Sequence, residues 1–389
     1  MESAPRLLAG LRVLDAASFI AGPVATTVMA DFGADVVKIE PPGGDTYRVR
    51  GPGYPASRYN FPWIVDNRSK RGVAVDLRTG DGRRVLHRLV HGADVFVTNL
   101  PLDSRARLGV RWEDLSPLNP RLIYGSITAY GETGEEASRP GFDSTALWAR
   151  TGLMDLVRPS PDAPPARSLP GMGDHPTDMS LFGAIMAALY QRERTGRGAM
   201  VSTSLMANGL WWNAIAVQGI LCGARTTVRP PREEAVDALA NLYRCRDGRW
   251  FLMTLTADGR RWQDFTTAIG RADLVAILDA VFAARDWAEW RRILEGASIA
   301  FGVVGTLADI PHDVQMRASG ALVPLDDPRA GASLTVGSPV WIEGQDKVPA
   351  TMAPEIGEHT VEVLRDAGVD QAEIDRLLGA GVIVQAKPR

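Results

Sequence analysis

The sequence predicts an α/β protein with a mostly parallel sheet, joined to a smaller α+β unit. Three observations carry this. Strand-like and helix-like stretches alternate over the first 130 residues, the pattern of βαβ units. The leading strand, LRVLDAA (11–17), reads as a short buried strand. Beyond residue 236 the alternation gives way to a strand followed by several helix-like runs.

In order along the chain, Gly22-Pro23 opens the helix VATTVMADFG, which Gly33 stops, and ADVVKIE (34–40) is the second strand. VAVDL (73–77), the helix TGDGRRVLHRLVHG and the strand DVFVTNL (94–100) repeat the scheme, and RLIYGSITAYG (121–131) adds another strand. Parallel α/β sheets bind ligands outside the carboxyl ends of their strands. The loops after residues 17, 40, 77, 99 and 128 are therefore where a site is expected. Residues 158–176 hold six prolines and predict a surface excursion. In PTDMSLFGAIMAALYQRERTGRG, Leu181, Ala184, Ile185, Ala188 and Leu189 fall at helical spacing, with Phe182 and Met186 widening the apolar face. This predicts a long, largely buried helix. AMVSTSLM reads as a strand and ANGLWWNAIAVQGIL as another buried helix. Residues 1–221 thus form the N-terminal part of a large domain.

Residues 222–236, rich in Arg and Pro, read as a linker. The strand RDGRWFLMTLT and the helices WQDFTTAIG, DLVAILDAVFAA and WAEWRRILEGA build a small α+β domain over 237–325. Residues 326–389 end in two short helices, GEHTVEVLRDAG and VDQAEIDRLLGAGVIV, the second opened by Asp370 and Glu373 in the spacing of a capping box.

Composition narrows the function. With 389 residues, 45% hydrophobic and 23% charged, this is a globular chain of two or three domains. A net charge of −3 makes no dense basic footprint, so nucleic acid is not an expected partner, while a local basic pocket for a phosphorylated ligand stays compatible. No apolar run reaches bilayer length, and Arg12 and Asp15 interrupt any signal-peptide pattern, so no membrane association is expected. Two cysteines, Cys222 and Cys245, fit neither a disulfide scaffold nor a metal site and point to a reducing cytoplasm. The five histidines form no HxxH or HExxH pattern, so no metal is expected.

Asp174 stands out among candidate chemical groups. It follows two glycines in PGMGDHP and precedes the long apolar helix. Free N–H groups at a helix start favour an anion, and a carboxylate kept ionised there could attack an activated acyl group. The bland alternative is a helix cap, with His175 a surface or supporting residue. Asn67-Arg68-Ser69-Lys70-Arg71, Arg105 and Arg107 could clamp phosphates; a solvated basic loop is the plainer reading of such a run. Pro41-Pro42-Gly43-Gly44-Asp45 is a turn signal. Absence of GxGxxG, GxxxxGK[ST] and GxSxG disfavours dinucleotide, P-loop and serine-hydrolase chemistry. Trp148, Trp211 and Trp212 are candidates for an acyl pocket or for plain core.

Nearly end to end, the motifs resemble the class III CoA-transferases, the CaiB/BaiF family, which includes formyl-CoA transferase and α-methylacyl-CoA racemase. The resemblance rests on LAGLRVLDAASFIAGPVATTVMADFGADVVKIEPPGGDTYR, NRSKRGVAVDLRTGDGRRVLHRLVHGADVFVTNL, RLGVRWEDLSPLNPRLIYGSITAYGETG, GMGDHPTDMSLFGAIMAALYQRERTGRGAMVSTSL and PEIGEHTVEVLRDAGV. It implies a large Rossmann-like domain formed by both ends of the chain, a smaller inserted domain, and an interlocked homodimer. It implies CoA, as acyl-CoA, for substrate, with a small carboxylic acid as partner and no metal. Asp174 falls on the family's catalytic aspartate, which carries acyl anhydride and CoA-thioester intermediates. CoA-contacting positions map onto Ile20, Ala21, Val75, Asp76, Leu77, Arg78, Asn99, Leu100, Pro101, Arg107, Arg139, Pro140, Gly141 and Phe142. The alternatives are an acyl-CoA racemase or a non-catalytic CoA-binding homologue. Racemases carry a Gly-His-Asp motif where this chain has Gly141-Phe142-Asp143, and formyl-CoA transferases carry Gln where it has Ile20. Both specialities are disfavoured.

Overall fold

Seven strands build the main sheet of the computed structural model, which describes residues 6–49, 57, 59–225, 230–235, 237–254, 271–296 and 301–387. In chain order the first elements are β1 (Arg12–Asp15), α1 (Pro23–Asp31), β2 (Asp35–Glu40), α2 (Phe61–Asn67), β3 (Arg71–Val75), α3 (Gly80–His91), β4 (Val95–Thr98), α4 (Leu102–Leu108), α5 (Trp112–Leu115) and β5 (Ile123–Thr128). A π-helical stretch Asp143–Ala149, α6 (Leu153–Leu156), α7 (Asp174–Thr195), β6 (Ala199–Ser204), α8 (Leu205–Trp212) and α9 (Ala214–Leu221) follow. The chain divides into two compact units, residues 1–151, 168–214 and 315–389, and residues 152–167 and 215–314.

In the first unit the sheet order is β12-β3-β2-β1-β4-β5-β6, with β12 (Ile383–Val384) the edge strand. All neighbours are parallel except β12, which runs antiparallel to β3 with Ile383 opposite Val75. Alternate residues of each strand feed two cores. Leu14, Val37, Ile39, Val75, Phe96 and Tyr124 pack under α3 and the C-terminal helices Thr360–Asp366 and Gln371–Gly379. Val13, Val36, Val95, Val97 and Ile123 pack under α1 and α7. Cover on both faces explains why β1 to β5 are almost wholly buried. Each fully buried aliphatic side chain contributes roughly 1.5–3 kcal/mol.

Three local expectations are corrected. ANGLWWNAIAVQGIL is two helices, α8 and α9, separated at Asn213, whose Nδ2 donates to the Thr151 carbonyl at 2.8 Å. Nor is its second half buried: α9 buries no residue, and Ile215 is 93% exposed. At the C-terminal helix only half the capping box forms, since Asp370 accepts from the Glu373 N–H at 2.8 Å while the Glu373 carboxylate turns to Arg376. The first unit also holds an antiparallel pair, β10 (Leu322–Pro324) with β11 (Leu334–Val336).

The second unit carries a three-stranded antiparallel sheet of β7 (Ala240–Arg244), β8 (Trp250–Thr254) and β9 (Phe301–Val303). Alternation of buried and exposed residues along β7 and β8 turns Tyr243, Phe251 and Met253 into a core with Phe282 and Trp290 from the helices Arg271–Phe282 and Trp287–Gly296. Arg232, in the expected linker, binds both carboxylate oxygens of Asp279 at 2.9 and 2.8 Å and so belongs to this unit. The expected helix WQDFTTAIG lies outside the described residues.

Candidate active site

The direction of strand addition reverses between β1 and β4, and the loops leaving their carboxyl ends part there to leave a crevice. Asn99, just past β4, spans it. Its Oδ1 accepts from the Ser18 N–H at 2.8 Å, and its Nδ2 donates to the carbonyls of Ser18 at 2.6 Å and Ala21 at 2.5 Å. This clamp holds Phe19 at φ 60°, a left-handed conformation that costs a non-glycine residue about 1–3 kcal/mol. The loop closes at Gly22, at φ 104°, where a Cβ would lie 2.6 Å from that of Ala17. No other residue fits there.

Beneath the loop sits a buried charge cluster. Asp15 is fully buried between Lys38 at 3.4 Å and Lys70 at 2.8 Å. Burial pushes the Asp15 carboxyl up, the two ammonium groups outweigh it, and the result is lowered to about 2. Lys70 also donates to Pro23 at the start of α1 and to Asp66 and Asn67 at the end of α2. The run 67–71 is therefore neither a solvated loop nor a phosphate clamp. Arg68 binds Asp31 at 2.7 Å, and Arg71 binds Asp35, Glu362 and Asp366. Arg105 is likewise buried, donating to Ser126 Oγ at 2.7 Å and to the carbonyls of Leu100 and Ile127.

Asp174 is the first residue of α7 rather than its cap; Gly173 holds the cap position, and no side-chain cap forms. The Gly173 N–H donates to Asp143 Oδ2 at 3.1 Å, and a Cβ on Gly173 would lie 2.7 Å from that of Asp143. Asp174 is partly exposed into a cavity of about 340 Å³. Its walls are Ser18, Phe19, Ile20 and Ala21 after β1, Asn99, Leu100 and Pro101 after β4, Ile127 to Ala129 after β5, then Pro140, Gly141, Phe142 and Leu205. Phe19 and Phe142 meet edge to face, centroids 6.0 Å apart, on one wall. Phe142 is 60% exposed.

The expectation that Asp174 stays ionised at neutral pH is corrected. Burial and the neighbouring Asp143 push its carboxyl up to about 8, Asp66 adding and His175 opposing. The helix start favours the anion, but desolvation and two further carboxylates outweigh it. His175 Nε2 lies 3.1 Å from Asp66 Oδ1, and Asp66 Oδ2 accepts from the Tyr47 hydroxyl at 3.0 Å. Burial lowers the His175 imidazolium, but the bond to Asp66 and the charges of Asp66 and Asp174 raise it overall. Asp178, one turn further along α7, is fully buried and accepts from the Gly22 N–H at 2.5 Å. Burial, opposed by that N–H and supported by Asp174, pushes it well up. It ties α7 to the first loop. Its motif gave no hint of this, because Gly22 lies 156 residues away.

A second cavity, of about 530 Å³, shares Ser18 and Leu100 with the first. Its walls include Val75, Asp76, Leu77 and Arg78 and the turn Pro41 to Thr46. The turn signalled by Pro41 to Asp45 thus lines a cleft. Arg78 is exposed and binds Asp76 through two bonds of 2.8 and 2.7 Å. Arg107, on Ser104 Oγ at 2.8 Å, and Arg139, paired with Glu136, line neither cavity. Trp148 packs edge to face on Trp212 at 6.4 Å and Trp211 is 79% exposed; none of the three lines the Asp174 cavity. Among the described residues no group of three or more His, Cys, Asp or Glu is placed to hold a metal ion, and no helix is long and apolar enough to cross a membrane.

Residues 8–360 match the sequence model of CoA-transferase family III. The chain is 30% identical to the (R)-2-hydroxy-4-methylpentanoate CoA-transferase of Clostridioides difficile, over 97% of this chain and 99% of that one. It is 33% identical to the succinyl-CoA:mesaconate CoA-transferase of Haloarcula hispanica, over 92% and 96%. A CaiB/BaiF family protein from Brucella suis matches in structure with a TM-score of 0.81 at 27% identity, covering 94% of this chain and all of that one.

Proposed function

The chain belongs to CoA-transferase family III, and from that premise we propose that it moves CoA between carboxylic acids through covalent intermediates on Asp174. The observation that carries this reading is a carboxyl with no hydrogen bond among the described residues, partly exposed to a cavity at the switch point of the sheet. The Asp174 carboxylate attacks the acyl-CoA carbonyl carbon. The C–S bond breaks, CoA leaves as thiolate, and a mixed anhydride remains. The thiolate then attacks the aspartyl carbonyl, the anhydride C–O bond breaks, and the first acid leaves as carboxylate. The acceptor carboxylate reverses both steps. No net proton is consumed and no bond energy is supplied from outside, since one thioester replaces another.

A nucleophile with a raised pKa is more basic, and loss of its proton is the condition for attack. CoA is proposed to run from the Asp174 cavity into the cleft shared through Ser18 and Leu100, where Val75 to Arg78 and the Pro41–Thr46 turn would meet its nucleotide end. The named acids of the relatives include a branched hydroxy acid and a dicarboxylate, so identity alone leaves the acid open. The homodimer is proposed too, supported by the exposure of Trp211, Ile215 and Leu221 on α8 and α9. A cytoplasmic location is proposed on the unpaired thiols of Cys222 and Cys245.

Incubation with an acyl-CoA followed by borohydride or hydroxylamine tests the mechanism. Modification of Asp174 alone, with matching loss of activity, is expected. An enzyme that turns over with Asp174 never modified overturns it.

A further inference from the structure

A third cavity lies on the other side of the start of α7. Its volume is about 480 Å³, within the ~300–1,000 Å³ of small-ligand sites. Its walls are overwhelmingly apolar: Val24 and Val28 of α1, Val65 of α2, Met179 of α7, and Val336 and Trp341 near the C-terminal end. Val336 and Trp341 are more than half exposed at 56% and 57%, so the apolar surface stands open rather than packed. The charged groups in and behind this wall are mostly matched. Arg68 binds Asp31, leaving its buried Nε without a partner among the described residues, and Lys347 stacks over Trp341 at 4.5 Å and donates to the Ser338 carbonyl. His175 is the more open group. Its Nε2 faces Asp66, while its Nδ1 has no hydrogen bond among the described residues and its side chain is 46% exposed.

The cavity also abuts the catalytic one. A Cβ placed on Gly171 would lie 3.6 Å from Ile20 Cδ1, in the wall of the Asp174 cavity, and 3.7 Å from His175 Nε2, in the wall of this one. Gly171, with no side chain, thus lies between one residue of each wall. His175 itself is the residue after Asp174.

We propose that this cavity takes the acid partner of the reaction, a monocarboxylic acid with a bulky apolar tail. The tail lies among Val24, Val28, Val65, Met179, Val336 and Trp341, and the carboxylate meets His175 beside Asp174. The inference rests on the reading of Asp174 as the nucleophile and adds the class of acid. A second carboxylate at the far end of the acid would enter a mostly apolar wall whose one guanidinium, Arg68, already carries Asp31, so dicarboxylates are disfavoured by desolvation. Pocket discrimination between apolar acids of different size amounts to roughly 10–200-fold per group.

Steady-state kinetics with one acyl-CoA and four acceptors (acetate, 4-methylpentanoate, 3-phenylpropanoate and succinate) test this. The wild-type enzyme is expected to use the two apolar acids with kcat/KM at least tenfold above acetate and succinate. Val336→Trp, at the exposed mouth, is expected to lower the ratio of 3-phenylpropanoate to acetate by tenfold or more, and Val336→Ala to leave it equal or higher. A preference for succinate, or a Val336→Trp enzyme with an unchanged ratio, overturns the proposal. Borohydride trapping on the same enzymes separates the two readings. If Asp174 is trapped while the ratio does not move, the pocket is wrong and the nucleophile stands. If Asp174 is never trapped, the nucleophile itself is wrong.

Discussion

The N–H of Gly173 donates to Asp143 Oδ2 at 3.1 Å, so the residue that positions the start of α7 also sets a second carboxylate beside Asp174. One contact thus places Asp174 and makes its ionisation harder. That balance can be measured.

Asp174 must be ionised to attack, and burial with Asp143 pushes its carboxyl up to about 8. Below that pH the protonated fraction dominates, so the rate of Asp174 acylation is expected to rise about tenfold per pH unit and to level off above about 8. Single-turnover acylation from pH 5.5 to 9.5 checks this.

Asp143→Asn removes the negative neighbour. The midpoint of the same profile is expected to move to lower pH, because a carboxylate is easier to ionise without a like charge beside it. A profile that stays in place, or moves alkaline, assigns the raised value to something other than Asp143.

Asp174→Asn is expected to lower transfer by about 10³-fold or more. It is also expected to stabilise the fold. A carboxyl whose folded pKa lies above its unfolded one loses stability as pH rises from the ordinary carboxylate range and stops losing it above about 8. The Tm gain of the Asn variant should therefore be small at pH 5 and larger at pH 8.5, read by thermal unfolding at both.

Lys70→Met leaves Asp15 buried with one cation fewer and frees the ends of α1 and α2. Removing one partner of such a buried pair costs about 3–5 kcal/mol, to be read by denaturant unfolding.

Arg78→Ala is expected to raise KM for acyl-CoA roughly tenfold with kcat little changed, as the loss of one charge-assisted phosphate contact would. Arg139→Ala, outside both cavities, should leave KM near wild type. Initial-rate kinetics with varied acyl-CoA separate them.

The strands of the main sheet were legible because burial on both faces leaves apolar runs such as those around Val36, Val95 and Ile123. The loops that line the Asp174 cavity were legible for a related reason. A parallel sheet presents the ends of β1, β4 and β5 together, and Ile20, Asn99, Leu100 and Phe142 do meet around one cavity. What could not be read depends on partners distant along the chain. Arg68 and Lys70 look solvated until Asp31 and Asp15 are seen beside them. Asp174 looks ionised until Asp143 arrives through Gly173. The break at Asn213 rests on the Thr151 carbonyl, 62 residues away.

Oxygen transfer from the acceptor acid tests the covalent role of Asp174 most directly. In the anhydride route, an acceptor carboxylate labelled with ¹⁸O leaves one of its oxygens in the Asp174 side chain when CoA thiolate takes its acyl group. Peptide mass spectrometry after turnover with labelled acid is expected to find ¹⁸O in the peptide containing Asp174 and in no other. Labelled product acyl-CoA formed while Asp174 keeps only ordinary oxygen would contradict the nucleophilic role.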